Sequence, residues 1–529
     1  MLRLPNISAP LDADQADLVT LAAKRLRVPE KQLRRVSIFR RSVDARDKGD
    51  VHLVLTLEAE VDREKELLRR LKPGIAERVQ PPRPVKLPRA AFALRPVVVG
   101  AGPAGLFAAL ELAKMGANPI LIERGRAVDE RTQDVTALQR DSVLDPESNV
   151  QFGEGGAGAF SDGKLTTGIK SPLIRQVLET LVAHGAPEDI LINQKPHIGT
   201  DRLKGVVASV RQEIIRLGGE VRFSTRLTGL ILRGSHVEGV TVSHGGVTEE
   251  LRTNHVLLCI GHSARDTVQQ LFNQGVRMVP KPFAMGVRIE HPQRLIDRAQ
   301  YGSFAGHPAL GAADYKLNAR TPDGRGCYTF CMCPGGEVIC AASQPGGVAV
   351  NGMSYHARAG ENANAALLVG VRPEDFGDDH PLAGFVLQRS IEQAAFRAGG
   401  GDYRAPVQRV GDLLAGRETK ALGEVRPTLL PGVTPADLRA VLPGFIIEDL
   451  KLGITEMDRR LHGFAMADAL LTGPETRSSS PVRMPRLADG EAEGIAGLYP
   501  AGEGAGYAGG IVSAAVDGIN AALAAVNDL

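Results

Sequence analysis

The stretch Val97-Val98-Val99-Gly100-Ala101-Gly102-Pro103-Ala104-Gly105 decides the reading of this chain. It is a G-x-G-x-x-G loop set between an apolar strand, expected at Pro96–Val99, and a helix expected at Ala104–Met115. The first glycine permits a tight turn, the second lets backbone amides approach a diphosphate, and the third lets the helix lie close to the strand. A helix N-terminus offers unpaired N–H groups and the positive end of its dipole to phosphates. A second strand, Pro119–Glu123, ends in an acid 18 residues after Gly105. The Glu123 carboxylate is expected to accept hydrogen bonds from ribose hydroxyls and to repel a 2′-phosphate. Glycine is common here, 60 of 529 residues, so the competing reading is an ordinary structural turn. Strand, loop, helix, strand and acid in that order favour a dinucleotide site built by Gly100, Gly102, Pro103, Ala104, Gly105, Glu123 and Arg124.

Outward from this loop, composition sets the frame. Hydrophobic residues make up 43% and charged residues 23%, which excludes wholesale disorder. A net charge of +2 gives no global field for nucleic acid or anionic membrane. Five cysteines cannot make a disulfide scaffold, and their odd number fits a reducing compartment. With no apolar leader in Met1–Asp14, and a longest apolar run of 14 residues broken by glycine and proline, a cytoplasmic protein without a membrane span is expected.

The expected fold class is α/β. Residues 1–80 read as a small α+β domain, with helices at Ala13–Leu26 and Asp62–Leu71 and strands at Arg35–Arg40 and Val51–Leu57. A proline-rich linker follows at 81–95. Residues 96–269 read as the first part of a Rossmann-like domain, a parallel sheet with a β-meander. Four short strands mark the meander region: Glu220–Ser224, Gly229–Leu232, Glu238–Val242 and His255–Cys259. A mixed α+β substrate domain is expected at 270–465, with strands at Ala284–Ile289, Cys327–Met332 and Val338–Ala341 and helices at Arg358–Val369 and Phe385–Arg397. Residues 466–529 return to strand, loop and helix and complete the first sheet.

That return contains Gly497-Leu498-Tyr499-Pro500-Ala501-Gly502-Glu503-Gly504-Ala505-Gly506-Tyr507-Ala508-Gly509-Gly510-Ile511. It resembles the second flavin motif of glutathione-reductase-like and fumarate-reductase-like flavoproteins. The resemblance implies FAD, with Glu503 at the ribityl chain, Gly502 beside it, and a helix from Gly510 and Ile511 whose N-terminus favours an anionic reduced flavin. The segment Val256–His262 is similar to the strand and glycine, here Gly261, that pass beneath the cofactor in the same superfamily, and Leu227 in the meander is placed there too.

The segments Gln151–Leu165, Ile260–Thr267, Phe330–Gly336, Asn351–Ser354 and Glu475–Arg483 resemble the signatures of a bacterial family of uncharacterised FAD-dependent dehydrogenases. The similarity spans essentially the whole chain. It implies a cofactor and a reaction class but no substrate. Physically, Gly155, Gly156 and Gly158 remove side chains where backbone must lie close to the flavin or its diphosphate. Lys164 is the one cation of that segment, read either as a charge balancing reduced flavin or as a surface lysine. Arg477 reads as a substrate-carboxylate ligand or as a structural ion pair, and His262 as a proton donor or as a hydrogen-bonded loop residue. Cys327, Cys331, Cys333 and Cys340 fall within 14 residues. Metal ligation, a redox-active pair at Cys331 and Cys333, and small buried residues are the three readings. An ideal strand would set the Cα atoms of residues two apart at about 6.6–6.8 Å, the outer limit for a disulfide. No histidine spacing suits a metal.

A second G-x-G-x-x-G unit for a nicotinamide is not found, so electrons are expected from an unidentified small-molecule substrate, from transiently bound NAD(P)H or from a protein donor. The expected activity is hydride transfer between that substrate and flavin N5. A monooxygenase is the nearest alternative. A flavin-bound sensor or RNA-associated protein is another, resting on eight basic residues and one acid in 24–41. No recognised RNA motif accompanies them.

Overall fold

In a computed structural model, residues 1–80 and 88–528 are described. Of the expected linker, 81–87 lies outside the described residues. Val97–Val99 is a strand whose residues are 0–4% exposed, flanked on both sides by parallel partners. Burial on both faces explains its unbroken apolar run. The full sheet has five parallel strands in the order Leu498–Pro500, Val256–Leu258, Val97–Val99, Ile120–Ile122 and Glu220–Arg222. Strands from both ends of the chain's main body thus join one sheet, with Val256–Leu258 between them.

Two helices, Pro103–Lys114 and Ile511–Asn527, pack together over this sheet. Their contact is close because Gly518 faces Ala104: a Cβ on Gly518 would lie 2.0 Å from the Ala104 carbonyl oxygen. The antiparallel meander comprises Thr225–Arg233, His236–His244 and Val247–Arg252. The expected strands at Glu220–Ser224 and His255–Cys259 belong instead to the parallel sheet as its members Glu220–Arg222 and Val256–Leu258. Val247–Arg252 was not anticipated; all but Leu251 are exposed, so no apolar alternation marks it.

A second sheet has seven strands in the order Asn318–Arg320, Gly326–Cys333, Asn362–Val371, Phe283–Pro292, Leu470–Glu475, Ala405–Arg409 and Val433–Pro435. The expected helix at Arg358–Val369 is overturned, since Asn362–Val371 is a strand near the sheet's centre. Its alanines and leucines have helical propensity, but every residue except Gly370 is buried. Burial between neighbours on both edges overrides that preference.

The N-terminal unit is separate. Its four-stranded antiparallel sheet runs Leu33–Asp44, His52–Val61, Leu2–Ala9, Glu77–Arg78. The helix Gln15–Leu26, capped by Asp14, covers it and buries Leu18, Ala22 and Leu26 against Leu4, Leu55 and Leu57. The strand Leu2–Ala9 escaped the sequence reading because a bulge between Leu4 and Ile7, with Asn6 at φ +54°, breaks its two-residue period. Arg41 joins this unit to the main body. Its N–H donates to the Ile192 carbonyl at 2.9 Å, and its own carbonyl accepts from Gln194 N–H at 2.9 Å.

Candidate functional site

The glycine loop behaves as its spacing demands. Gly100 has φ +99°, and a Cβ there would lie 2.4 Å from the Cys259 carbonyl oxygen; a Cβ on Gly105 would lie 1.8 Å from that of Gly100. Gly102 caps the helix, followed by Pro103. An added Cβ on Gly102 meets nothing nearer than 3.8 Å, so that face is open. The first intrahelical bond runs from Leu106 N–H to the Gly102 carbonyl at 2.9 Å. Among the described residues, the N–H groups of Gly102, Ala104 and Gly105 have no acceptor.

The C-terminal motif meets this loop. A Cβ on Gly502 (φ +77°) would come within 2.9 Å of the Ala104 Cβ, and one on Gly504 within 2.4 Å of the Gly261 carbonyl oxygen. Gly158 sits between the two helix starts, 3.2 Å from Ile511 and 3.9 Å from Pro103 by the same measure, and Gly156 lies over Gly102 at 3.0 Å. Gly155 N–H donates to the Ala101 carbonyl at 2.8 Å. Gly510 caps the second helix, and among the described residues the N–H groups of Ile511 and Val512 also lack acceptors. Four glycine segments, far apart in sequence, therefore form one crevice onto which two helix N-termini open. Orphaned donors and an open face at Gly102 fit an adenine dinucleotide, whose diphosphate the N–H groups of Gly102, Ala104 and Gly105 would hold.

Several side chains differ from their expected roles. Glu123 is 6% exposed, and its carboxylate accepts from Ala101 N–H at 2.7 Å, Gly125 N–H at 2.9 Å and Gly153 N–H at 2.9 Å. Three of about four acceptor positions are taken, so it ties the phosphate loop to the Gly153 loop rather than standing free for two ribose hydroxyls. Arg124 pairs with Asp266 at 2.9 Å and Glu147 at 3.0 Å and lies over the Phe152 ring at 4.0 Å. It borders a cavity of about 380 Å³ lined also by Ser263, Ser343 and Arg389. The Leu227 side chain is buried in an apolar cluster with Val99, Ile122 and Leu258.

Arg477 is not free to bind substrate. It is 8% exposed, and its guanidinium grips both Glu392 oxygens at 3.0 and 2.8 Å. Arg265 grips the same carboxylate from its other side at 2.9 and 2.8 Å. His262 has Nδ1 3.2 Å from Ser263 Oγ and Nε2 4.0 Å from Glu503 Oε1. Burial, then Arg477 and Arg265, push its pKa down to about 3, so it is a neutral imidazole and a poor proton donor near neutrality. Burial pushes Glu503 up to about 8, with Lys281 opposing, so this side chain is largely the protonated acid at neutral pH.

Lys164 is half-buried. It pairs with the fully buried Asp162 at 3.0 Å and donates to the Met332 carbonyl. Burial opposes its charge, but Asp162 and negative charge on the neighbouring Cys333 and Cys331 hold its pKa above the ordinary lysine value. Arg358 closes on the other side of Asp162 at 3.0 and 2.5 Å. The sequence reading missed Arg288, which is fully buried in Phe283–Pro292. It binds Glu475 at 2.6 and 3.1 Å, the Cys331 carbonyl at 2.9 Å, Asn364 at 3.0 Å and Asn351 at 2.8 Å. Charged residues inside that apolar strand were the available signal. Among the described residues, no group of three or more histidines, cysteines or carboxylates is placed to hold a metal ion.

Fold and crevice together define an FAD-dependent protein. The chain matches a family described as FAD binding domain over residues 94–142 and one described as FAD-dependent protein, C-terminal domain-like, over 282–478. Residues 1–60 match a domain of unknown function. It is 48% identical over 524 residues, 98% of each chain, to an uncharacterised protein of Clostridium beijerinckii, and it belongs to that protein's family. Solved structures to which the chain is similar include the flavin-dependent brominase Bmp2 (13% identity, 82% of this chain and 79% of that one, TM-score 0.38). Another is a 3-ketosteroid-Δ4-(5α)-dehydrogenase from Rhodococcus jostii (13%, 83% and 100%, TM-score 0.35). No helix among the described residues is long and apolar enough to cross a membrane.

Proposed function

We propose that this protein is a dehydrogenase that moves a hydride between a small-molecule substrate and its flavin. The observation that carries the reading is the meeting of the Gly100–Gly105 and Gly502–Ile511 loops at one crevice, with unpaired N–H groups of two helices opening onto it. In this reading Gly102, Ala104 and Gly105 bind the diphosphate, and Gly155, Gly156, Gly158 and Gly261 let backbone lie flat against the cofactor. Glu123 holds the phosphate loop in its binding shape. FAD when bound supplies a two-electron acceptor at N5. The protonated Glu503 can donate one hydrogen bond into the ribityl region and accept another. Lys164, kept charged by Asp162, supplies positive potential beside the crevice and disfavours loss of an electron pair placed there. The mixed sheet, bringing Arg288, Cys331 and Cys333, forms the substrate side.

The test is anaerobic. Candidate metabolites, NADH and NADPH are added to the purified yellow protein while flavin absorbance is followed. A dehydrogenase is bleached by its substrate without oxygen and yields a product two hydrogens poorer. Oxygen-dependent turnover with a hydroxylated product would instead establish a monooxygenase.

A further inference from the structure

The pair Cys331 and Cys333 has a geometry that an ideal strand does not predict. In Gly326–Cys333 the pairing with Asn362–Val371 jumps between Phe330 and Cys333, so Cys331 and Met332 stand outside the ladder. Cys331 has φ +41°, the left-handed region that side-chain-bearing residues seldom enter and that concentrates at functional sites. The Cys333 thiol turns back toward Cys331, its Sγ–H donating to the Cys331 carbonyl oxygen at 3.3 Å. Arg288 reaches that carbonyl at 2.9 Å and Cys333 Sγ at 3.9 Å. Lys164 is fastened to the intervening Met332 carbonyl. Cys331 is half-buried while Cys333 is fully buried.

We propose that Cys331 and Cys333 form a reversible dithiol–disulfide couple that exchanges with small disulfides, Cys331 attacking and Cys333 resolving. In the first step Cys331 thiolate bonds to one sulfur of the small disulfide, whose S–S bond breaks and whose other half leaves as thiolate. In the second, Cys333 gives its proton to solvent and attacks Cys331 Sγ, releasing the other half. The protein dithiol is oxidised by two electrons and the disulfide reduced to two thiols. The proposal goes beyond hydride transfer and does not depend on it.

Electrostatics agree. The neighbouring Cys333 thiol, then Lys164 and Arg288, lower the Cys331 pKa and favour its thiolate, against the opposing effects of burial and Asp162; Glu475 and Glu503 also face it. Cys333, sharing that proton, is raised. The remaining cysteines provide internal controls: burial raises Cys327 to about 12 and Cys340 to about 11, and raises Cys259 further.

The wild-type holoprotein, with flavin occupancy recorded, is pulsed with iodoacetamide across pH 5–9 and each cysteine is followed by peptide mass spectrometry. Cys331 is expected to react at pH 6 at least about tenfold faster than Cys259, Cys327 and Cys340. Glutathione disulfide should convert the wild type to an internal Cys331–Cys333 disulfide that dithiothreitol reverses. The Cys333→Ser variant should stop at a glutathione adduct on Cys331. A Cys331 alkylation midpoint at the ordinary thiol value, or a wild-type adduct that never resolves, overturns the proposal whatever the flavin content. Loss of flavin with thiol reactivity retained would sink the hydride-transfer reading alone.

Discussion

Replacing Glu123 by Gln tests how the phosphate loop is held. The carboxylate accepts two backbone N–H groups at Oε1, from Gly125 and Gly153, and one at Oε2, from Ala101. Glutamine keeps the shape and one acceptor oxygen, but its amide nitrogen must then face a donor. If it faces Ala101, that buried N–H loses its acceptor, a cost of about 1–3 kcal/mol. The two remaining bonds lose their charge assistance, roughly halving their strength. Together the expected destabilisation is about 2–4 kcal/mol, and it should be present in flavin-free protein because every partner belongs to the chain. Urea unfolding of flavin-free wild type and Glu123→Gln, beside FAD titrations of both, provides the measurement. Equal unfolding midpoints with weakened FAD binding would refute this reasoning and return Glu123 to the ribose role its position in the motif suggests.

The remaining expectations concern packing and charge. Gly518→Ala drives a methyl into the Ala104 carbonyl, so the two helices must part at a cost of about 1–3 kcal/mol; retained FAD in the purified variant should fall. Gly205→Ala, inside Thr200–Arg216 with nothing within 4 Å of an added Cβ, should instead stabilise by about 0.5–1 kcal/mol in the same unfolding assay. Glu392→Gln leaves Arg265 and Arg477 buried without their counter-charge and should cost about 3–5 kcal/mol, with unchanged stability disproving the clamp. Burial opposes ionisation of Glu392, but Arg477 and Arg265 outweigh it and lower its folded pKa. Its contribution is therefore full above the unfolded carboxylate value and lost as pH falls below about 4.3. His262 acts in a different window: its folded pKa of about 3 lies below the unfolded value, so stability declines as pH drops through about 6.5. His262→Gln should flatten that decline between pH 7.5 and 5, and parallel wild-type and variant curves would count against a neutral buried imidazole.

Both glycine motifs were readable in the sequence because strand, turn and helix lie within one short segment, and the steric demands on Gly100, Gly105 and Gly502 are met by near neighbours or by a partner motif of the same kind. The α/β class followed from the same local patterns. What escaped depended on who faces whom. Asn362–Val371 carries the alanines and leucines of a helix and became a strand only because two other strands flank it. Arg477 looked available until Glu392, 85 residues away, was seen closing on it. Glu123 occupies the acid position of the motif, yet its partners include Gly153, which no spacing rule connects to it. The cysteine pair lies two residues apart by sequence alone, but the turn of the Cys333 thiol onto the Cys331 carbonyl and the Lys164 and Arg288 neighbours arise from a bulge and from elements far along the chain. Local steric and propensity effects act over a few residues and are written in order along the chain. Burial, charge pairing and pKa depend on the dielectric and partners that only tertiary packing assembles.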